Sequence, residues 1–406
     1  MISVAEARQR ILTAAAGPRG GENAPLAEAL GRTLAAPLAA RRTQPPVAVS
    51  AMDGFALRAT DVASLPARLK VIGTSAAGHG FQGTVGPGEA VRIFTGAPVP
   101  QGADAILIQE NAELDGDAVL ATASVAPGTH IRAAGIDFSQ GEVRLEPGRR
   151  LGPVEIALAA AMNYADLPVA RRPRVAILAA GDELVAPGSV IGPNQIVASN
   201  ASGVAAFVRL AGGVPFDLGI AGDDFAALEA AIRAAREAEA DVLVTLGGAS
   251  VGEHDLVKSA LAREGMQLGF WRVAMRPGKP LLHGRLGDML ILGLPGNPAA
   301  SMVCAVLFLV PLLRALCGDP TAGGDKSEPA RLGAALPANG PREDFMRARL
   351  ARSHDGLPLA TPFAEQDSSL LSVFAKAQCL LIRAPQAPPA QEGDLCRVIR
   401  LPEPVP

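Results

Sequence analysis

Acidic, basic and glycine-rich segments recur in this sequence directly after apolar runs that predict buried strands. The segments are Asp182-Glu183, Asp223-Asp224, Gly247 to Asp255, Arg276 to Lys279 and Pro295 to Pro298. In a parallel sheet the carboxyl ends of the strands meet at one edge, so these segments are expected to lie close together. Backbone N–H groups at helix N-termini attract anions, and neighbouring carboxylates can hold Mg²⁺ that bridges phosphate oxygens. The pattern therefore predicts a nucleotide or pyrophosphate site.

The glycine-rich segment from Gly247 to Asp255, with the sequence GGASVGEHD, allows two chemical interpretations. Its G-x-S-x-G pattern is that of a serine hydrolase, with Ser250 as the nucleophile. Such an enzyme needs an acid and then a histidine, but His283 follows too soon and His354 lies in a separate C-terminal segment. A tight turn of small residues, or a cradle for an anion, agrees better with the sequence.

The acidic residues in these segments also have structural interpretations. Asp223 or Asp224 could cap the helix that follows. Asp182 or Glu183 could be a solvated charge in a loop. Sequence spacing alone leaves these alternatives open.

The remaining candidates in the same region have comparable alternatives. Arg272 could lie along the protein surface, and Pro295 with Pro298 could simply shape the turn before a helix. Neither G-x-x-x-x-G-K-[ST] nor G-x-G-x-x-G occurs in this part of the chain. A P-loop kinase and an NAD-dependent dehydrogenase are therefore disfavoured.

Three further candidates lie earlier in the chain, in segments rich in glycine. Asp53 stands in SAMDGFAL, Thr95 in RIFTGAPVPQGAD and Asp137 in AGIDFSQGE. Considered by spacing alone, each of the three is typical of a turn.

Composition limits the classes of function. The chain has 406 residues, of which 49% are hydrophobic and 19% are charged, as expected for a globular protein. This length predicts roughly two to three domains. A net charge of -3 and an aromatic content of 3% provide neither a field for polyanions nor a platform for base stacking. We therefore expect no nucleic-acid partner.

Cysteine spacing and hydropathy indicate the cellular compartment. The four cysteines form no C-x-x-C pair, so neither a structural zinc site nor a disulfide framework is expected. The N-terminal segment MISVAEARQR is charged where a signal peptide would be apolar. The most apolar run, residues 299–313, is short for a bilayer span and predicts a buried helix. We expect a cytoplasmic protein that does not bind membranes.

Changes in pattern along the chain predict a multidomain α/β architecture. Residues 1–40 and 141–171 are expected to form a helical N-terminal domain, into which the β-rich domain 41–140 is inserted. Regular alternation of strands and helices over 172–322 predicts a central parallel sheet with helices on both faces. Short strand-like runs over 323–406 predict a small β-barrel-like domain at the C-terminus.

Several of these segments together carry a resemblance to a known family. In chain order they are SAMDGFA, RIFTGAPVPQGAD, AGIDFSQGE, RVAILAAGDEL, TLGGASVGEHD, RPGKP, GLPGNPAAS and REDFMRARL. They resemble the molybdopterin molybdenumtransferase family, which is related to the gephyrin E domain, over essentially the whole chain. The resemblance implies an elongated homodimer of four-domain subunits. The active site would lie between the central α/β domain of one subunit and the β-rich second domain of the other.

The reaction that the resemblance implies has adenylated molybdopterin and molybdate as substrates, requires Mg²⁺, and yields molybdenum cofactor and AMP. It also implies a role for each candidate. The residues implied in catalysis are Asp182, Glu183, Asp255 and Asp53, of which the first three would also bind the metal. The residues implied in ligand binding are Thr95, Asp137, Asp223, Gly247, Gly248, Ser250, Arg272, Arg276, Lys279, Pro295 and Pro298.

Within that set, the resemblance implies a positive pocket formed by Arg272, Arg276 and Lys279, which would compensate the charge of molybdate and phosphate. Asp53, Thr95 and Asp137 would reach the site from the second subunit.

The sequence also departs from the family pattern and leaves other functions open. Ala180 replaces the usual Thr before Gly-Asp-Glu-Leu, and Arg272 and Arg276 stand where Lys is common. A molybdopterin adenylyltransferase shares the central motifs, and a non-catalytic scaffold resembling gephyrin is a third possibility. The expected partners are a second copy of the chain, the adenylyltransferase and other proteins of the cofactor pathway. Molybdate and tungstate are not distinguished by the sequence.

Overall fold

The computed structural model describes residues 1–247, 256–353 and 355–402. The chain begins with helix α1 (Val4–Ala15), which Ser3 caps by accepting a hydrogen bond from the Glu6 backbone N–H at 3.1 Å. The sequence-based prediction of helix up to about residue 40 was wrong beyond Ala15. Ala16 and Gly17 both have positive φ, and Pro18 follows, so the helical hydrogen-bond pattern ends there.

Short strands follow helix α1. They are β1 (Gly21–Pro25), β2 (Leu38–Ala39), β3 (Val49–Ser50), β4 (Gly54–Leu57), β5 (Ala67–Ser75), β6 (Glu89–Ile93), β7 (Ala105–Ile108), β8 (Ala112–Asp115), β9 (Ala118–Ala121), β10 (Ile131–Arg132) and β11 (Val143–Leu145). Six of them form one sheet in the order β7-β4-β6-β5-β9-β8. A β-rich module is therefore present in the part of the chain where the sequence predicted it.

After the β-rich module come helix α2 (Pro153–Ala161) and strand β12 (Asp166–Ala170). They pack with β1 and β2 in a separate N-terminal unit. Strand β12 lies antiparallel to β1, with Gly21 opposite Ala170. Helix α1 does not pack in this unit, because its apolar side chains Ile11 and Ala15 belong to the core of the central sheet. The domain boundaries given above remain a prediction.

The central unit contains the strands and helices that carry most of the candidate site. Its strands are β13 (Arg174–Ala180), β14 (Leu184–Val185), β15 (Ile196–Val197), β16 (Val214–Ala221), β17 (Val242–Leu246), β18 (Gln267–Arg272), β19 (Met275–Arg276), β20 (Pro280–Leu286) and β21 (Met289–Leu294). Its helices are α3 (Ser199–Leu210), α4 (Phe225–Glu237), α5 (Leu256–Arg263), α6 (Pro298–Cys304) and α7 (Val310–Leu316).

The main sheet of this unit has the order β16-β13-β17-β21-β20-β18. The first four strands are parallel, as predicted, whereas β20 and β18 each run antiparallel to their neighbour. The departure has a local cause. A tight turn at Gly287, where φ is +60°, joins β20 directly to β21, and a hairpin reverses the chain without a crossover helix.

Alternate residues of the central strands pack on opposite faces of the sheet. Val242, Val244 and Leu246 face a core that includes α1, α3, α6 and α7. Leu243 faces a second core, which includes α4 and α5. Since both faces are covered, strand β17 is buried throughout and apolar except for Thr245. The predicted central sheet with helices on both faces is confirmed.

Helices α6 and α7 are joined by a π-helical turn at Ala305–Leu309, so that Pro298–Leu316 forms one long helix. The π-helical turn lies just before Pro311, which has no N–H to donate to the regular pattern. The 19 residues are long and apolar enough to cross a membrane, but 72% of the most apolar stretch is buried inside the protein. This helix forms the core between the sheet and α1.

The C-terminal unit is a small β structure. Its elements are β22 (Ser327–Leu332), β23 (Glu343–Arg352), β24 (Pro358–Pro362), α8 (Leu371–Phe374), β25 (Cys379–Arg383) and β26 (Leu395–Arg400). The sheet order is β19-β23-β24-β22-β26-β25, and β25 also pairs with β23, which closes the sheet into a barrel-like form. Strand β19 comes from the central unit, so the two units share backbone hydrogen bonds. All four cysteines are free thiols.

Candidate functional site

A cleft of about 620 Å³ lies where the carboxyl edge of the central sheet meets the C-terminal unit. The predicted site residues that line it are Glu183, Gly247, Arg276, Lys279 and Pro295. The loops after β13, β17 and β21 therefore meet, as expected for the carboxyl ends of parallel strands. The opposite wall contains residues that the sequence analysis did not single out, namely Arg342, Gln366, Asp367 and Ser368.

The acidic residues after β13 and β16 interact directly. The Asp182 carboxylate accepts a hydrogen bond from the backbone N–H of Asp223 at 2.9 Å. Asp224, not Asp223, caps helix α4, since its side chain accepts from the Ala227 N–H at 3.0 Å. The two alternatives for the cap are thereby decided. The exposed Asp223 side chain is left without a capping role.

Gly247 ends strand β17 in a conformation that requires glycine. Its φ is +87°, and a Cβ atom at this position would lie 2.6 Å from the backbone oxygen of Ala180. The turn therefore brings the backbones of β13 and β17 together at the cleft. The predicted ligands Gly248, Ser250 and Asp255 lie outside the described residues.

Arg276 lines the cleft, but its charge is already compensated. Its guanidinium forms an ion pair with Asp344, and its Nε donates to the Asp344 carboxylate at 3.0 Å. The Asp344 side chain is only 7% exposed, whereas the Arg276 side chain is 57% exposed. The hydrogen bond to Asp344 raises the pKa of Arg276. Arg276 therefore neutralises a buried carboxylate and contributes little free positive charge.

Arg272 does not line the cleft. Its guanidinium carbon lies 4.1 Å from the centre of the Trp271 ring, in a cation–π contact. Its Nε is buried and has no hydrogen-bond partner in the part of the chain that the structure describes. The predicted pocket of Arg272, Arg276 and Lys279 is thus not formed as a group. Of the three, the ammonium of Lys279 has no ion-pair partner among the described residues and lines the cleft.

The turn from Pro295 to Pro298 is held by helix α3 of the same unit and by the C-terminal unit. The Asn200 amide donates to the Gly296 carbonyl at 2.7 Å, and the Asn297 amide donates to the Ser368 hydroxyl at 2.7 Å. Pro298 occupies the first turn of α6, where its missing N–H costs nothing. The N-cap residue of helix α3 is Ala198, which has no capping side chain.

The C-terminal loop in the cleft wall is fixed by Arg347. This side chain is almost fully buried, and its guanidinium donates to the Asp367 carbonyl at 2.9 Å. The backbone of Arg347 also exchanges hydrogen bonds with the Gln366 amide, at 3.0 and 2.9 Å. These contacts join residues far apart in sequence. No spacing rule could have revealed them, although the polar run Gln366 to Ser369 was a local signal of a turn.

Asp53 and Thr95 lie in the β-rich module and form a pair. The Asp53 carboxylate accepts from the Thr95 backbone N–H and from the Thr95 hydroxyl, each at 2.7 Å. These bonds, with the nearby charge of Arg92, lower the pKa of Asp53. Asp137 is exposed, and its N–H donates to the Gln44 carbonyl at 3.1 Å. Within the described residues, no hydrogen bond or ion pair connects these three to the cleft.

The carboxylates at the cleft suit a metal that is shared with a substrate. Among residues 1–247, 256–353 and 355–402, no three His, Cys, Asp or Glu side chains form a cluster that could hold a metal ion. Mg²⁺ commonly uses one or two carboxylates and completes its shell with substrate phosphates and water. The adjacent residues Asp182 and Glu183 are exposed and meet that requirement. They do not form a complete protein cage.

Comparisons with known proteins identify similar sequences and structures. Three family models match successive parts of the chain. They are the MoeA N-terminal region (domain I and II) at residues 2–163, the probable molybdopterin binding domain at 176–315, and the MoeA C-terminal region (domain IV) at 329–401. The chain is 34% identical to the molybdopterin molybdenumtransferase of Haemophilus influenzae over 387 residues, which cover 94% of each protein.

It is also 36% identical to the molybdopterin molybdenumtransferase of Bacillus subtilis over 365 residues, or 88% of this chain and 84% of that one. Among solved structures, it is similar to a molybdopterin biosynthesis MoeA protein from Pyrococcus horikoshii, with a TM-score of 0.85 and 30% identity. That similarity covers 98% of this chain and 99% of the other.

Proposed function

Because the chain belongs to the molybdopterin molybdenumtransferase family, we propose that it transfers molybdenum from molybdate to adenylated molybdopterin, releasing AMP and forming molybdenum cofactor. The observation that supports this most is the cleft at the carboxyl edge of the sheet. It combines Glu183, with the exposed Asp182 beside it, a glycine turn at Gly247 and the cation Lys279, which has no ion-pair partner among the described residues. Such a site suits a substrate that carries phosphate and needs a divalent metal.

Each residue of the cleft has a distinct part in the proposed reaction. Lys279 binds an anionic oxygen of the substrate, which offsets the charge that accumulates as the phosphoanhydride breaks. Asp182 and Glu183 would hold Mg²⁺, and the Asp223 N–H fixes the orientation of the Asp182 carboxylate. Bound Mg²⁺ would supply Lewis-acid polarisation of the phosphate oxygens. Gly248, Ser250 and Asp255 remain predicted ligands of the same substrate and metal.

We also propose that the active unit is a homodimer. Within the described residues, no hydrogen bond or ion pair connects Asp53, Thr95 or Asp137 to the cleft of the same chain. Their proposed role in catalysis and ligand binding therefore requires the cleft of a second copy. The proposed location is the cytoplasm, with the adenylyltransferase of the pathway as the partner that supplies the substrate.

The alternative functions are less well supported. A molybdopterin adenylyltransferase would need only the central domain, whereas family models also match the N-terminal and C-terminal regions. A purely structural scaffold would not need the paired acids of the cleft.

Substitution of the acidic pair tests the proposed function. We expect Asp182→Asn and Glu183→Gln each to slow molybdate-dependent AMP release on the order of 100-fold, because each removes a carboxylate that holds the metal. Both side chains are exposed, so the melting temperature should stay the same. Asp166→Asn, in strand β12, is a matched control and should keep full activity. Normal turnover in both cleft variants would refute the assignment of the metal site.

A further inference from the structure

We infer that Phe94 is a substrate-binding residue, whose side chain stacks on a flat heteroaromatic ring of the substrate. This inference rests on the proposed function, in which the segments that hold Asp53 and Thr95 reach the cleft of a second copy. The proposed substrate carries two such rings, the pterin and the adenine. No aromatic side chain is among the described residues that line the cleft, so a stacking partner has to come from elsewhere.

Phe94 is exposed, which sets it apart from the other aromatic residues of the chain. The sequence contains 12 phenylalanines, one tyrosine and one tryptophan. Over residues 1–247, 256–353 and 355–402, Phe94 is the only aromatic residue in the exposed class, with 39% of its surface accessible. A single exposed apolar side chain is common on protein surfaces. The argument therefore depends on what lies next to Phe94.

Phe94 directly precedes Thr95, one of the two residues of the proposed site in this module. The hydrogen bonds from Thr95 to the Asp53 carboxylate join two turns of the chain. The residue before Asp53 is Met52, which is also 39% exposed. An exposed apolar side chain therefore precedes each member of the Asp53–Thr95 pair. Apolar side chains around a few fixed polar groups are typical of sites that bind small molecules.

The chemistry of this group of residues suits the edge and the face of a heterocycle. Both hydrogen bonds from Thr95 reach the same oxygen of Asp53, so the other carboxylate oxygen can accept from a ligand. Pterin and adenine each carry an exocyclic amino group, which can donate to that oxygen. The Phe94 ring supplies a flat apolar surface for the face of the same heterocycle.

The position of the Phe94 ring is fixed by neighbouring residues. The guanidinium carbon of Arg92 lies 5.3 Å from the centre of the Phe94 ring and 4.9 Å from the centre of the Phe55 ring. The Arg92 guanidinium also donates to the Gln109 side chain at 2.9 Å. The Phe94 backbone N–H donates to the Ser75 carbonyl at 3.3 Å. A ring that is held before the ligand arrives loses little conformational entropy when it stacks.

Equilibrium binding of adenylated molybdopterin, molybdopterin and AMP to the purified full chain, each measured without molybdate, tests the inference. Phe94→Leu keeps an apolar side chain but removes the ring, and Phe94→Tyr keeps the ring. The matched control is Leu114→Ala, which removes an apolar side chain that is 73% exposed. Leu114 lies on β8, three strands from β6 in the same sheet, or about 14 Å at roughly 4.8 Å per strand.

We expect Phe94→Leu to weaken the binding of adenylated molybdopterin about 3- to 10-fold, because the loss of an aromatic pair exceeds the loss of buried area alone. Phe94→Tyr should stay within about twofold of the parent, since its ring can still stack. Leu114→Ala should bind as the parent does. Weaker binding of molybdopterin with unchanged binding of AMP assigns Phe94 to the pterin, and the reverse assigns it to the adenine.

Two results of the binding experiment would overturn the inference. They are equal affinity of Phe94→Leu and the parent for all three ligands, and a parent that binds none of them. Sedimentation of the same proteins provides a further test, because dissociation of the parent's dimer in Phe94→Leu would assign Phe94 to the contact between subunits instead. If the parent binds its substrate through Phe94 but releases no AMP with molybdate and Mg²⁺, the proposed function fails while the assignment of Phe94 stands.

Discussion

At the scale of single residues, hydrogen bonds from Thr95 lower the pKa of Asp53. Two hydrogen bonds from Thr95 reach the same carboxylate oxygen and stabilise its ionised form, which lowers the pKa of Asp53. The carboxylate therefore stays charged to lower pH than an ordinary aspartate does. The stabilisation of the folded protein by this carboxylate is fully present above the pKa that Asp53 has in the unfolded chain. It is lost as the pH falls through the lower pKa that Asp53 has in the folded protein.

The Thr95→Val variant tests this account of Asp53. It removes the hydroxyl donor, so we expect the pKa of Asp53 to rise towards the ordinary value of about 3.9. The measurement is a carboxyl carbon titration by NMR with labelled aspartate. Thr60→Val, at an exposed threonine of the same module, should leave the titration of Asp53 unchanged. An unaltered midpoint in Thr95→Val would show that the hydroxyl does not stabilise the charge.

Residue chemistry in the cleft was only partly predictable. Glu183, Gly247 and Lys279 were found from their positions after predicted strands, because parallel strands end at a common edge. The neutralisation of Arg276 was not foreseeable, since Asp344 lies in another unit and its burial depends on the packing of that unit. Arg342 was not among the predicted site residues, because its place beside the cleft also depends on the packing of the C-terminal unit. Its segment, REDFMRARL, had been noted only as part of a resemblance.

At the scale of elements, the two adjacent aspartates at the start of helix α4 have different roles. Asp224 caps the helix through a side-chain hydrogen bond, whereas Asp223 offers its backbone N–H to Asp182. We expect Asp224→Ala to destabilise the central unit by about 1 kcal/mol, the usual cost of a lost N-cap.

The matched variant Asp223→Ala should keep the melting temperature, because the backbone donor to Asp182 remains. Thermal unfolding of both proteins, followed by circular dichroism, distinguishes the two roles. An equal loss of stability in both variants would contradict the assignment of the cap to Asp224 alone.

Elements with strong periodicity were predicted well, and those with ambiguous boundaries were not. The strand VAILAA and the helix after Pro298 appear where expected, because both are long apolar runs with clear signals at their ends. The predicted N-terminal helix was too long, since alanine and leucine beyond residue 20 suggested helix while Gly17, Pro18 and Gly20 favour a break. The pairing of β1 with β12 could not be predicted, because the two strands are more than 140 residues apart in the chain.

At the scale of the whole molecule, the cleft depends on units that are distant in sequence. The central sheet supplies the acids and the glycine turn, and the C-terminal unit supplies Arg342 and the loop that ends at Ser368. Strand β19 joins the two units by pairing with β23. The proposed second copy would add Asp53 and Thr95. An α/β domain alone would therefore provide only part of the site.

The measurement that tests the central claim most directly is AMP release from adenylated molybdopterin by the purified full chain, with and without molybdate and Mg²⁺. We predict that AMP appears only when molybdate and Mg²⁺ are both present, together with molybdenum cofactor in stoichiometric amount. Tight binding of the substrate without AMP release under any of these conditions would contradict the claim and indicate a carrier or scaffold. Release of pyrophosphate from ATP with molybdopterin would instead identify an adenylyltransferase.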